Sequence, residues 1–493
     1  MLRRWLAFAA VALTSGCVGL PQGEAPAADP TQQCRIFFRD LDAAVARAGV
    51  GDSEAARIEG FPYLRTDRFL ASFRAQALDT AGLSAWLDHL QALAEEGRRI
   101  ELRNLPAAET EALRRRDPGA TGPGEGPAAA LRRCGDLLRR QDFDHNGKIA
   151  QLRQHTAVPD AYQTWQRALG LYAIVVLPIA RGIDNWHEET RERYAQPLSR
   201  LPVQGELLRF IPPRMRRLEP AAVAAILRRA ADNPLAIPEP SESDTDLLFE
   251  AFAPVWEIDV ASDDDRIGMP HWRADAIRID TTRAVVFRRL SHTRFKGQAL
   301  LQLNYIVWFP ARARTSAFDL LGGHLDGITW RVTLSPRGTP LMYDSMHNCG
   351  CYHMFYPAPG VHPRPPRHNL QEIAFIPQPA PPLSPGHQVS LRIAHHTHHI
   401  DRVSAGPTGQ GTGVAYQWAD YSSLRSLARG DNARRSLFRS DGLVPGTERR
   451  ERYLFWPMGI AAPGAMRQWG HHATAFIGRR HFDDADLMER YFR

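Results

Sequence analysis

The sequence predicts an α+β protein, in which a mainly helical N-terminal domain precedes a mostly antiparallel β-rich domain shaped as a sandwich or a barrel. Three observations lead to this prediction. The chain has 493 residues, more than one hydrophobic core usually organises. Apolar side chains recur at helical spacing in residues 34–232, and they alternate with a period of two from about residue 249 onward. Residues 233–248 are polar and proline-containing, so we place the linker there.

The helical domain is predicted from repeated amphipathic segments. LSAWLDHLQALAEEGRRIELRNL places Leu83, Trp86, Leu90 and Leu93 on one helical face, and LRRCGDLLRRQ and AAVAAILRRA repeat the pattern. The apolar run over residues 168–180 is too short to cross a bilayer and contains Pro178. We therefore expect this run to form a buried helix.

The β-rich domain, residues 249–493, is predicted from short segments rich in Val, Ile, Leu, Phe and Trp, such as AVVFRRL, ALLQLNYIVWF, ITWRVTL and VSLRIAHH. SPRGTP, between Leu334 and Leu341, has the composition of a hairpin turn. The final DADLMERYFR predicts a closing C-terminal helix.

The N-terminus has the features of a bacterial export signal. Arg3 and Arg4 precede an apolar stretch that ends in small residues and Cys17, as in lipoprotein signals. We interpret residues 1–17 as the signal, Cys17 as the lipidated residue, and residues 18–33 as a flexible tether. Ordinary cleavage or a retained anchor would be the alternatives. The expected location is the bacterial envelope, as a periplasm-facing lipoprotein held on a membrane.

The composition and charge pattern of the chain limit the classes of partner that we expect. Hydrophobic content of 44% and charged content of 23% are those of a globular protein, and the net charge is +7. The arginines are interleaved with Asp and Glu, and no nucleic-acid-binding module accompanies them. We expect no nucleic-acid partner. The expected partners are a membrane, through the lipidated N-terminus, and an unidentified small molecule or envelope protein.

Four cysteines remain if Cys17 carries lipid. In an oxidising compartment Cys34 and Cys134 would form a disulfide around the first helical stretch. Cys349 and Cys351 are then left to pair with each other, to bind a metal, or to pack as buried thiols.

The densest group of candidate ligands is the run SMHNCGCYHMF, where His347, Cys349, Cys351 and His353 occupy alternate positions. In a straight strand they would share a face, but its ends would lie about 20 Å apart, too far for one ion. Gly350 permits a bend that would bring two or three of them together.

Further ligands would come from the histidines at positions 395, 396, 398 and 399. If this segment is one strand, His395 and His399 share one face, and His396 and His398 share the other. We expect His396 and His398 to line a cavity with the cysteines. The metal would be zinc, iron or copper.

A calcium-like loop is present at Asp142, Asp144 and Asn146, followed by Gly147. Position 12 of this pattern is Arg153, where a bidentate carboxylate is required. We therefore do not expect calcium, and we interpret the segment as a turn between helices.

Three segments also give a resemblance to known proteins: FPYLRTDRFLASF, DGITWRVTL leading into YDSMHNCGCYHMF, and GHHATAFIGRRHFDD. On them the chain resembles a group of uncharacterised exported proteobacterial proteins with no assigned activity. The resemblance implies an envelope location and no mechanism.

Two functional hypotheses follow. The first is an envelope lipoprotein with a His/Cys metal site in its β-rich domain, and with a metal-dependent reaction that the sequence does not identify. The second is a non-enzymatic envelope protein, structural or interacting with a partner, that disulfides stabilise.

Overall fold

A computed structural model describes residues 29–116, 126–145, 147–366, 371–384, 386–409, 412–430 and 433–493. It confirms the α+β class. The N-terminal region is mainly helical, and most strands lie in the C-terminal part.

The helices begin and end as follows: α1 (Pro30–Ala48), α2 (Arg68–Ala71), α3 (Thr80–Asn104), α4 (Ala107–Arg116), α5 (Pro127–Arg140), α6 (Ile149–His155), α7 (Thr164–Leu169), α8 (Tyr172–Ala195), α9 (Pro220–Ala230), α10 (Glu242–Ala251), α11 (Arg452–Phe455) and α12 (Leu487–Tyr491). Local chemistry explains several of these ends. Helix α1 begins with a proline and with the side chain of Asp29 accepting the Thr31 N–H, and it ends at Gly49 in the left-handed region. Helix α12 confirms the predicted closing helix.

The strands are β1 (Ala56–Ile58), β2 (Phe61–Thr66), β3 (Glu206–Ile211), β4 (Val255–Val260), β5 (Met269–Arg273), β6 (Ala276–Asp280), β7 (Val285–Phe295), β8 (Gln298–Arg312), β9 (Gly323–Leu334), β10 (Pro340–His347), β11 (Met354–Pro357), β12 (His387–Ile393), β13 (Ile400–Pro407), β14 (Val414–Ala415), β15 (Gln417–Asp420), β16 (Leu427–Gly430) and β17 (Ala433–Arg435). SPRGTP forms the predicted hairpin turn between β9 and β10, with Gly338 in the left-handed region.

Two larger sheets organise the C-terminal part. One has the strand order β11-β10-β9-β8-β7-β15, and the other has the order β13-β12-β4-β3-β14. Most neighbours are antiparallel, whereas β15 with β7, β12 with β4, and β14 with β3 are parallel. Within the described residues both sheets stay open and neither closes into a barrel.

The six-stranded sheet is covered on both faces. From β8, Tyr305 and Val307 enter the core shared with the five-stranded sheet, while Trp308 packs into a second core on the opposite face. This second core contains Cys349 and C-terminal loop residues such as Phe482. Because alternate residues serve two cores, strand β8 is apolar almost throughout.

A third core belongs to the N-terminal region. It joins helices α1, α3 and α5 to strand β2 through residues that include Phe37, Tyr63 and Trp86. The predicted disulfide is confirmed, since Cys34 of α1 is bonded to Cys134 of α5.

Four segments differ from the sequence predictions. Helix α1 begins at Pro30, inside the predicted tether, and helix α10 begins at Glu242, inside the predicted linker. Strand β3 lies in the predicted helical domain but pairs with β4 of the β-rich part, because its register with residues 256–260 completes that sheet. The helix predicted from residues 168–180 is present as parts of α7 and α8, yet many of its apolar side chains are exposed and not buried.

In the described part of the chain, no helix is long and apolar enough to cross a membrane.

Candidate functional site

The CGC segment forms the loop of a β-hairpin. Strand β10 ends at His347, β11 begins at Met354, and the two strands pair antiparallel. Gly350 has a φ of 96°, in the region that favours glycine. A Cβ at this position would also collide with the carbonyl oxygen of Ala473. The bend predicted at Gly350 is therefore confirmed, and it is packed against the C-terminal segment.

The loop brings two free thiols together. Cys349 is buried and Cys351 is half-buried. The hydrogen bond between the two thiols lowers the pKa of Cys349 and raises that of Cys351. The positive charge of Arg449 lowers the pKa of Cys349 further. Cys349 is thus the more readily ionised sulfur, and the thiolate is the reactive form of cysteine.

Both cysteines line a cavity of about 540 Å³. This volume lies in the range of small-molecule sites. One face of helix α8 forms a wall, and the hairpin loop and the segments around positions 455 and 475 form the others. The apolar lining includes Val175, Pro178, Ile179, Ile183, Trp186, Leu321, Leu454, Phe455, Ile460, Pro463, Ala473, Ala475 and Phe476.

Glu451 is a carboxyl group in the cavity wall. Burial raises its pKa to about 7, although Arg449 and Arg312 oppose that effect. Its position is fixed by close packing, since a Cβ on Gly464 would collide with the carboxylate. A carboxyl group with a near-neutral pKa can both donate and accept a proton at neutral pH.

His353 also lines the cavity, and a buried carboxylate orients it. Its Nε2 lies 2.9 Å from Oδ2 of Asp344. Arg331 donates from Nε and Nη2 to the two oxygens of the same carboxylate, at 2.9 and 2.5 Å. Burial lowers the pKa of His353 to about 3, so the imidazole is neutral at physiological pH.

His347 and His398 meet at Asp326 and not at the thiols. Nδ1 of His398 lies 2.9 Å from Oδ2 of Asp326, and Nδ1 of His347 lies 3.4 Å from Oδ1. His398 also places Nε2 3.5 Å from Oδ1 of Asp265. Although burial opposes it, the proximity of both carboxylates raises the pKa of His398. Arg449, 3.3 Å from Asp326, adds a second cation to this buried group.

The later histidines lie in a turn. Strand β12 ends at Ile393, and His396 and His398 both have positive φ values, 61° and 53°. The backbone N–H of His396 donates to Oδ1 of Asp265 at 2.6 Å, which holds the turn. The strand predicted across this segment is therefore interrupted, and the alternation of faces does not apply to it.

The cavity thus gathers Cys349, Cys351 and His353 from the six predicted ligands, and the residues that line it do not include His347, His396 or His398. Over the described ranges, no group of three or more His, Cys, Asp or Glu side chains is arranged to hold a metal ion.

The remaining predicted sites lie elsewhere. The carboxylate of Asp142 is buried and accepts hydrogen bonds from Lys148 at 2.8 Å, Arg35 at 3.1 Å and Tyr63 at 2.9 Å. Asp144 is exposed. Asn146 and Cys17 lie outside the described residues, so the lipidation of Cys17 stays a prediction.

Sequence reasoning missed Glu451 and His187, both in the cavity wall. His187 stacks on Phe375 with ring centroids 4.0 Å apart, and burial lowers its pKa to about 4. No complete motif surrounds either residue: the sequence from His187 to Arg191 begins like a zinc-protease helix, but Arg191 replaces the second histidine. The one available signal was the apolar run of α8, because it continues to His187 with helical spacing.

Helix α8, the CGC hairpin loop and the C-terminal segment therefore enclose an apolar cavity that carries two adjacent thiols and a carboxyl group. Comparison of the chain with protein-family models, with curated proteins and with solved structures finds no match.

Proposed function

We propose that the protein is an exported thiol–disulfide redox protein, whose Cys349–Cys351 pair reacts with a disulfide flanked by apolar groups. One observation carries this proposal: two free thiols within hydrogen-bonding reach of each other lie on the wall of one apolar cavity. A single thiol would suffice for acyl transfer, whereas an adjacent pair is suited to cycling between dithiol and disulfide.

The reaction would proceed in two exchanges. The thiolate of Cys349 attacks one sulfur of the substrate disulfide, which forms a mixed disulfide and releases the other sulfur as a thiolate that takes a proton. The thiolate of Cys351 then attacks the sulfur of Cys349 and releases the second substrate thiol. The protein pair is oxidised, and the substrate disulfide is reduced by the same two electrons.

The surroundings of the thiols support these roles. Glu451 can accept the proton of Cys351 and deliver one to a departing thiolate, since its pKa of about 7 suits both directions. The apolar walls would bind the groups that flank the substrate disulfide. The export signal predicted for residues 1–17 would place the reaction in the envelope, where thiol–disulfide exchange is common.

A second candidate uses the same two sulfurs for a soft metal ion. Thiolates bind copper(I) and zinc strongly, and copper(I) accepts few ligands. The contact between the thiols favours this candidate. This candidate reduces the metal hypothesis to Cys349 and Cys351, with His353 as the predicted imidazole ligand that lines the same cavity.

The test is a redox titration of protein purified from its exporting host without a His tag. Glutathione buffers would set the potential, and alkylation followed by mass spectrometry would count free thiols. We expect Cys349 and Cys351 to convert together and reversibly, while the buried Cys34–Cys134 bond stays oxidised. The Cys351→Ser variant should accumulate a stable mixed disulfide with glutathione at Cys349. A pair that never changes state over the range of buffers would refute the redox proposal.

Metal analysis of the same preparation separates the two candidates. A stoichiometric amount of copper or zinc that the Cys349→Ser variant loses would favour metal binding. A substoichiometric amount that this variant leaves unchanged would reject it.

A further inference from the structure

We infer that the protein has a membrane-docking surface, formed by the α7–α8 hairpin and the adjoining helix α11, that rests on an anionic lipid bilayer. We call this surface the apolar rim, and it consists of Trp165, Leu169, Leu171, Ile174, Leu177, Tyr453, Leu454 and Trp456. The inference does not depend on the dithiol chemistry, because it rests on the outer surface of these helices.

The apolar rim is unusually exposed for its composition. Leu169, Leu171, Ile174 and Leu177 are 62 to 70% exposed, and Trp165 is 59% exposed. Monomeric proteins expose single apolar residues often, but contiguous patches of Leu, Ile, Trp and Tyr mark surfaces that meet another apolar phase. Trp and Tyr are the residues that favour the lipid interface.

The apolar rim is continuous with the cavity. The residues at positions 456–458 contact both α7 and α8. Leu454 belongs to the rim and also lines the cavity. Ile174 and Leu177 face outward from α8, while Val175 and Ile179 of the same helix face the cavity. A bilayer in contact with the rim would therefore lie beside the wall that encloses the thiols.

The charges next to the apolar rim indicate what kind of membrane it would contact. The sequence has no Asp or Glu between Asp160 and Asp184, and none between Glu451 and Asp483. Arg181 is exposed one turn after Leu177, and Arg450 is exposed beside α11. An apolar surface flanked by cations and without carboxylates is the pattern of helices that lie in the interface of anionic membranes.

The tip of the helical hairpin also has an uncommon backbone. Leu171 has a φ of 49°, a conformation that glycine or asparagine adopts more easily than leucine. The side chain at this strained position is 62% exposed, so burial within the protein does not account for it. Insertion of Leu171 between lipids would give that side chain an apolar environment.

The experiment measures insertion of the rim into vesicles of phosphatidylglycerol and phosphatidylcholine. Lipids brominated in the acyl chain quench tryptophan only when the indole enters the bilayer. We expect the exported wild-type protein to be quenched, and we expect the Trp165→Phe/Trp456→Phe variant to lose most of that quenching. This readout reports the rim itself, so a lipidated N-terminus does not obscure it.

Two apolar-to-acidic substitutions test how much the apolar rim contributes to membrane binding. In a Cys17→Ser background, which carries no lipid, the Ile174→Glu/Leu177→Glu variant should reduce partitioning to the same vesicles at least about tenfold, because each side chain loses its apolar transfer. Val414→Glu, at an exposed valine of strand β14, is the matched control and should partition as wild type. Equal melting temperatures would show that all variants fold.

Two outcomes would overturn the inference. The first is equal quenching of the wild-type and tryptophan variants in anionic vesicles. The second is a lipid-free dimer that Ile174→Glu/Leu177→Glu dissociates, since the occupant of the rim would then be a second copy of the chain.

Discussion

Removing the imidazole of His398 should destabilise the protein, by an amount that depends on pH. The side chain is fully buried, stacks on Phe309 at 4.0 Å, and lies between the carboxylates of Asp326 and Asp265. We choose His398→Asn, because asparagine tolerates the positive φ of this residue and retains one hydrogen-bond donor group.

The size of the stability loss depends on which hydrogen-bond donors and cations Asp326 and Asp265 would keep in the variant. Asp326 would retain Arg449 and His347, and Asp265 would retain the N–H groups of His396 and Ser262. Breaking a buried ion pair costs about 3 to 5 kcal/mol when one charge is left without compensation. Since both carboxylates keep other donors, we expect the lower end, about 3 kcal/mol near pH 5.5.

The pH dependence has a defined sign. The pKa of His398 is raised in the folded protein, so its stabilising contribution is complete below about 6.5, the ordinary histidine value. It is lost as the pH rises above 6.5 through the folded value. The pKa values of Asp326 and Asp265 are lowered, so their contribution disappears only as the pH falls below about 4. The difference between wild type and variant should therefore be largest between these limits.

Urea denaturation at pH 5.5 and at pH 9 would measure this difference. His395→Asn is the matched control, since its half-exposed side chain in the same turn pairs with Asp259 at 3.6 Å. Asp259 is buried, but it keeps the N–H groups of Gln204 and Gly205, so the partly exposed imidazole contributes at most about 1 kcal/mol. If His398→Asn lowers the free energy of unfolding by the same amount at pH 5.5 and at pH 9, the assignment of a buried imidazolium is refuted.

Three further outcomes are expected. Gly350→Ala should lower the free energy of unfolding by about 2 to 4 kcal/mol in urea titrations, because a Cβ meets the Ala473 carbonyl at a left-handed φ; an unchanged midpoint would contradict this close packing. Cys34→Ser/Cys134→Ser should cost about 2 to 5 kcal/mol, seen as a lower melting temperature, and wild-type stability would deny the bond a structural role. Glu451→Gln should speed alkylation of the thiols by iodoacetamide at pH 8 but not at pH 5.5. The reason is that the carboxylate, with its pKa of about 7, is ionised at pH 8 and raises the pKa values of both thiols. Equal alkylation rates of wild type and variant at pH 8 would show that the carboxylate lies too far from the sulfurs to act on them.

The fold class could be predicted because side-chain periodicity is local. The change from helical to alternating spacing near residue 249 is visible in the sequence, and the turn SPRGTP and the closing helix carry their own signals. Strand β3 could not be found in this way. Its ELLRFI segment follows a helical stretch, and its partner β4 begins more than forty residues later, at Val255.

The site was harder to predict for the same reason. Strand alternation is a sound guide only while the strand continues, and the chain turns both at Gly350 and after Ile393. The two cysteines could be placed together because they are neighbours in one loop. Glu451 reaches the same cavity from a distant segment, and His353 is oriented by Asp344 across a strand pair, so their roles depend on tertiary packing.

Helix α8, which carries one wall of the cavity, contains Pro178. Proline has no N–H, so the carbonyl of Ile174 lacks its helical donor, and the helix is weakest at this turn. The C-terminal half is held by the stack of His187 on Phe375 and by the hydrogen bond of Tyr194 to Ile400. The N-terminal half carries the apolar rim. The missing hydrogen bond of α8 therefore lies between the surface that we propose for the membrane and the aromatic end of the cavity wall, so the turn at Pro178 is where this helix bends most easily.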